Sequence, residues 1–156
     1  MKRILFVAMM MAAAFLLTAC GAQKTELDIG QQMVRDGDCA GAAPHLDAVI
    51  ANPGSALNLA HAYYSKGKCA ELAEDYPEAY RNYYAAKVVG CYAVSHDEMI
   101  SFNTYARSEY CQVTIPKKLQ ELEPKIGDKA KVEHIEGEVN NLLTAEYLKR
   151  FDKKPQ

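Results

Sequence analysis

The chain has 156 residues, 49% of them hydrophobic, and a formal net charge of −2 from 18 Lys and Arg against 20 Asp and Glu. That near balance, with no basic block away from the two ends, argues against a nucleic-acid partner. Once an N-terminal leader is removed, the remainder is long enough for one domain with its own core and too short for two.

The leader comes first. Lys2 and Arg3 precede an apolar run over residues 4–17, and Leu16, Leu17, Thr18, Ala19 and Cys20 close it. The run is too short to cross a hydrocarbon layer of about 30 Å comfortably, and small residues stand just before the cysteine. This LLTAC stretch resembles the lipobox of bacterial lipoprotein signal peptides. The resemblance implies cleavage before Cys20 and diacylglycerol on its thiol, with each buried methylene of lipid contributing about 0.8 kcal/mol to membrane residence. Gly21 stands where Asp commonly marks inner-membrane retention, so the resemblance implies an outer-membrane anchor facing the periplasm. The expected division is a cleaved signal peptide over residues 1–19, a lipidated tether over 20–26 and a single helical domain over 27–152. A tether of about six residues reaches at most about 20 Å, which keeps the domain close to the bilayer.

From Leu27 onward Ala, Leu, Met and Tyr recur every three or four residues, with almost no alternation of Val and Ile. This predicts an all-α fold without a sheet. Helix breaks are expected at residues 36–38, 52–54, Gly67, 75–77, Gly90, Pro116 and 124–127, where Gly, Pro and Asp punctuate the pattern. The segments between them have the rhythm of stacked antiparallel hairpins. Ser55 precedes the apolar-periodic Leu57, Ala60, Tyr63 and Tyr64, and Pro77 suits a first helical turn. Ser95, His96, Asp97 and Glu98 have the form of a capping box that would open a helix. Near the C-terminus, Val132, Ile135, Val139, Leu142, Leu143, Leu148 and Phe151 mark the apolar face of one long helix.

Gly37-Asp38-Cys39-Ala40 and Gly67-Lys68-Cys69-Ala70 repeat one local pattern. Here the chain resembles the tetratricopeptide repeat family, with Gly30, Gly37, Ala42, Leu46, Val49 and Pro53 on that family's places in a first unit. In a second unit Ala60, Tyr63 and Gly67 match the first helix. After an insertion over residues 71–75, Asp75, Ala79, Tyr83, Ala86 and Gly90 look like the second half of the related Sel-like repeat. The resemblance covers about residues 27–90 and implies a right-handed array of hairpins, in which small residues allow close helix approach and large ones fill the grooves. The long C-terminal helix would be its solvating cap.

In an exported chain, the four cysteines left after Cys20 favour disulfides over free thiols. On the repeat reading Cys39, Cys69 and Cys111 lie at turns inside hairpins and Cys91 at a turn between them, so Cys39 with Cys69 is the preferred pair. The remaining pair, Cys91 with Cys111, conflicts with a straight helix from His96 to Tyr110. Such a helix would hold its ends about 20 Å apart, whereas a disulfide needs α-carbons within about 7 Å. A loop at residues 71–75 carrying Cys69 to Cys91, with Cys39 left for Cys111, is the alternative, and the sequence leaves the connectivity open.

Neither the cysteines nor His45, His61, His96 and His134 show metal-site spacing, so no metal or cofactor is expected. His45 and His134 read as solvated surface, and Glu133, Glu136 and Glu138 with Lys129 and Lys131 as a charged helix face. A cysteine nucleophile with His61 or His96 as base is the only catalytic arrangement to consider. Oxidation of exported thiols and the lack of a GxSxG motif argue against an enzyme. Nine of the ten tyrosines lie between Tyr63 and Tyr110. Tyr63, Tyr83 and Tyr105 fall on packing places, while Gln31, Arg35, His61 and Tyr64 fall on the concave side of the first helices and form the expected partner-binding groove. The expected function is that of a lipoprotein scaffold for another envelope protein. Helical-repeat lipoproteins point, by resemblance, to outer-membrane or secretion assembly machinery. The alternatives are a non-repeat bundle acting as a pilotin-like carrier or inhibitor, and a lipid-anchored enzyme or enzyme accessory.

Overall fold

The computed structural model describes residues 24–95 and 109–151. The signal segment, the lipobox with Cys20, the capping-box residues from His96 to Glu98, and Tyr105 lie outside the described residues. Among the described residues the chain is helical throughout, with six α-helices, one π-helical turn and no strand.

Helix α1, Glu26–Arg35, opens on a capping box: the Thr25 hydroxyl accepts from the Asp28 N–H at 3.2 Å, and the Asp28 carboxylate accepts from the Thr25 N–H at 3.0 Å. Gly37, at φ +82°, turns the chain. Asp38 then caps α2, Cys39–Ala51, by accepting from the Gly41 N–H at 2.8 Å. Pro44 and His45 lie in the interior of α2. The two helices close tightly at Gly30, where a Cβ would stand 2.8 Å from Leu46 Cδ2. Ser55 caps α3, Ala56–Leu72, through the Asn58 N–H at 3.1 Å, and Asp75 does the same for α4, Tyr76–Ser95, through the Glu78 N–H at 3.2 Å.

Three expected breaks are absent. Helix α3 runs through Gly67, whose missing side chain is used for close packing instead: a Cβ there would stand 2.8 Å from Tyr83 Cδ1. The chain turns a few residues later, at Glu74 with φ +58°. Helix α4 likewise runs through Gly90 to Ser95. Pro116 is no break either: helical backbone passes from the π-helical turn Tyr110–Thr114, where the Ile115 N–H donates to the Tyr110 carbonyl, directly into α5, Ile115–Ile126, and the missing Pro116 donor falls at that change of helical register. Gly127, at φ +72°, ends α5. Asp128 accepts from the Ala130 N–H at 2.9 Å at the start of α6, Lys129–Phe151.

Helix α4 is the centre of the packing, touched by α3, α5, α6 and the π-helical turn. Its Ala79, Tyr80, Tyr83, Ala86 and Val89 form a core with Leu59 and Ala60 of α3, Ile115, Leu119 and Leu122 of α5, and Val132, Ile135, Val139 and Leu143 of α6. A smaller cluster of Val34, Ala42, Leu46, Val49 and Ala62 seats the α1–α2 hairpin on α3. The disulfides are Cys39–Cys69, with α-carbons 5.5 Å apart, and Cys91–Cys111, at 5.3 Å. The crossed alternative does not occur. Cys69 and Cys91 sit inside α3 and α4 rather than at turns, and the helix that argued against the second pair lies outside the described residues.

Candidate partner-binding groove

Three neighbouring side chains of α4 fasten α6 to it. The Tyr80 hydroxyl donates to Glu136 Oε1 at 2.7 Å, Arg81 Nη2 to Glu138 Oε2 at 2.6 Å, and Asn140 Nδ2 donates to the Tyr84 hydroxyl at 3.1 Å. With α6 held in this way, α2, α3, α4 and α6 enclose a cavity of about 230 Å³. Its apolar lining is Ile50, Tyr63, Ala85, Val139, Leu142 and Leu143. Leu142 is 52% exposed, beside the buried Leu143. The polar lining is Asp47, Lys66, Glu78, Arg81 and Asn82. Its charges are paired: Lys66 Nζ meets Asp47 Oδ1 at 2.7 Å, and Arg81 reaches Glu78 at 3.5 Å as well as Glu138. Asn82 is buried and donates through Nδ2 to the Glu78 carbonyl at 2.8 Å and to Glu78 Oε1 at 2.7 Å.

On the far side of α4 lies a polar bridge. The Tyr83 hydroxyl donates to Glu71 Oε2 at 2.8 Å, and Lys118 Nζ donates to Glu71 Oε1 at 3.1 Å. Burial works against the Glu71 carboxylate, but the hydrogen bonds from Tyr83 and Lys118 and the nearby lysine charges outweigh it and hold its pKa below the ordinary value. Lys118 is the mirror case: desolvation opposes its charge, yet Glu71 and Glu121 raise its pKa. Burial, reinforced by Glu71 and Glu136 respectively, pushes the Tyr83 and Tyr80 phenols upward, so both are neutral donors that hold helices together.

The four residues expected to form a groove separate into two settings. Tyr64 packs between Tyr83 and Tyr110, with ring centroids 5.2 and 4.8 Å away, and His61 faces Tyr110 at 6.2 Å. Burial lowers the His61 pKa and favours the neutral ring. The Tyr110 hydroxyl is buried with no hydrogen-bond partner among the described residues. Gln31 is half-buried on α1, and the exposed Arg35 donates along the same helix to Gln32 Oε1 at 2.7 Å. His45 is not plain solvated surface, since its Nδ1 lies 2.6 Å from Glu26 Oε2 and links α2 to α1. His134 is exposed beside Glu138.

Sequence reasoning placed Tyr63 among the packing residues and Leu142 on the apolar face of the C-terminal helix, and passed over Asn82. One signal was available. On a helix whose buried stripe is Val132, Ile135, Val139 and Leu143, an adjacent Leu142 points about 100° away and needs another reason to be apolar.

Among the described residues no cluster of His, Cys, Asp or Glu could hold a metal ion, and no helix is long and apolar enough to cross a membrane. Fold and site together define an all-α domain tied by two disulfides around an amphipathic groove. No family model, curated protein or solved structure matches the chain.

Proposed function

We propose that this chain is a lipid-anchored envelope protein that binds and positions another protein through the groove between α2, α3, α4 and α6. The carrying observation is that groove itself: about 230 Å³, apolar within, bordered by ion pairs, and entered past a half-exposed Leu142. It is favoured over the face of Gln31, Arg35, His61 and Tyr64 because Tyr64 already has both ring contacts filled from within the molecule. The LLTAC stretch supports anchoring through Cys20 in the outer membrane, facing the periplasm. The contact of α1 with α3 as well as α2 supports an array of tetratricopeptide-like and Sel-like hairpins, since successive units of such arrays stack this way. The tether then confines the partner to within a few nanometres of the membrane.

The test is crosslinking in the intact envelope from a photoreactive amino acid at position 47. A discrete crosslinked protein is expected from the wild-type background and none from Leu142→Glu, while Tyr64→Ala leaves the crosslink in place. Persistence of the crosslink in Leu142→Glu would remove the groove from the proposal. Cys20→Ser should abolish palmitate labelling and release the chain from the membrane fraction; a labelled, membrane-bound variant would remove the anchor.

A further inference from the structure

Asn82 is 4% exposed and lines the groove. Its amide orientation is determined, because Nδ2 donates to two oxygens of Glu78 and the reversed amide would set oxygen against both. That commits both donor hydrogens and leaves Oδ1 as an acceptor to which no described group donates. Asn82 is one of the residues lining the cavity, so this acceptor belongs to its polar wall. A carbonyl held this deep gains from a well-placed donor and loses if an apolar ligand covers it.

We infer that the groove takes a neutral stretch of polypeptide, with one aliphatic side chain in the cavity and its main-chain N–H donated to Asn82 Oδ1; this rests on the groove reading of the preceding subsection. Size supports it. The roughly 230 Å³ of space, open on one side, admits one aliphatic side chain. That is shorter than a membrane lipid's acyl chain, which in any case brings no donor for Asn82. Charge supports it as well. Asp47 is engaged by Lys66, and Arg81 by Glu78 and Glu138, so an entering charge would have to break a pair already made, whereas a neutral group would not.

The experiment uses the full chain, isotope-labelled and kept in its oxidised form, titrated with acetylated and amidated alanine-based hexapeptides followed by nuclear magnetic resonance. The third residue is Leu, Asp or Lys, and a further Leu peptide is N-methylated at that residue. The Leu peptide should shift the Asn82 side-chain amide and the Tyr63 ring signals. The Asp, Lys and N-methylated peptides should bind about tenfold more weakly, the scale of one buried hydrogen bond or one unpaired charge. Leu142→Glu, a change at an exposed position, should abolish the shifts with the circular dichroism spectrum unchanged.

Equal binding of the N-methylated peptide overturns the inference. So does binding of dodecanoate but not peptide, absence of binding by every peptide, or a Leu142→Glu-sensitive self-association in the ultracentrifuge that occupies the groove instead. Envelope crosslinks at position 47 that survive any of these outcomes would leave the protein-binding proposal standing. Peptide binding without an envelope crosslink would remove that proposal and keep this one.

Discussion

Gly67 and Gly137 both lie inside helices, and helix propensity alone predicts that alanine at either would stabilise the protein by about 1 kcal/mol. The surroundings divide them. At Gly137 nothing lies within 4 Å of an added Cβ, so the full gain of about 1 kcal/mol is expected there. At Gly67 the added carbon would stand 2.8 Å from Tyr83 Cδ1 and 3.0 Å from both Cε1 and Cγ. The Tyr83 ring is 1% exposed, packs against Tyr64, and has its hydroxyl held by Glu71 at 2.8 Å, so it has no direction in which to retreat. Overpacking of this kind costs about 1–3 kcal/mol, which cancels or exceeds the propensity gain. The two substitutions should therefore differ by about 1–3 kcal/mol, with Gly67→Ala the less stable. Urea unfolding of the disulfide-intact protein, read by circular dichroism with the m-value checked for constancy, measures the difference. Repeating Gly67→Ala in a Tyr83→Ala background should remove the penalty. If Gly67→Ala stabilises as much as Gly137→Ala, the close approach of Tyr83 to the α3 backbone is refuted.

Tyr83→Phe should cost about 1 kcal/mol by taking a donor from Glu71, whereas Tyr110→Phe should cost less, because its buried hydroxyl makes no well-formed hydrogen bond and interacts only with the neighbouring Tyr64; urea midpoints of the pair decide this. Closing loops of 30 and 20 residues, the disulfides should each contribute about 3–4 kcal/mol, so Cys39→Ala/Cys69→Ala and Cys91→Ala/Cys111→Ala should both fall well below wild type under non-reducing conditions. A loss under about 1 kcal/mol for either would count against that pair, and peptide mapping should recover both bonds. Glu71 has a folded pKa below its unfolded value, so its contribution is present above the unfolded pKa near 4.3 and is lost as pH falls through the folded one. The stability gap between wild type and Glu71→Gln should accordingly shrink as pH falls below the unfolded pKa, and a gap that widens on acidification would contradict the assignment.

Turn chemistry made most of the fold legible before any coordinates. Asp38, Ser55, Asp75 and Gly127 stand at real helix ends, and the expected breaks around residues 36–38, 52–54, 75–77 and 124–127 match them. Gly67 and Gly90 misled because a bare backbone serves equally to end a helix or to admit a neighbour, and nothing local says that Tyr83 will be that neighbour. The groove was harder still. Tyr63 and Tyr64 are adjacent on α3, and which of them lines the groove depends on where the π-helical turn brings Tyr110 and where α6 comes to lie. Val139 and Leu142 come to line the groove with Tyr63 because α6 packs its apolar face on α4 and is fastened there by the Tyr80, Arg81 and Tyr84 contacts, which link residues more than fifty positions apart. Local pattern carries no trace of such a meeting.

The two apolar clusters share only a narrow seam, where Ile50 packs against both. Amide hydrogens should therefore exchange in two tiers, with the α1–α2 hairpin opening at lower free energy than the helices around α4. Cys39–Cys69 keeps the opened hairpin beside its docking surface, so reclosure is a local search rather than refolding. Since Asp47 and Ile50 bring α2 into the groove, each such opening dismantles the wall of the binding site, and an occupant would be held by, and would slow, the least protected motion of the molecule.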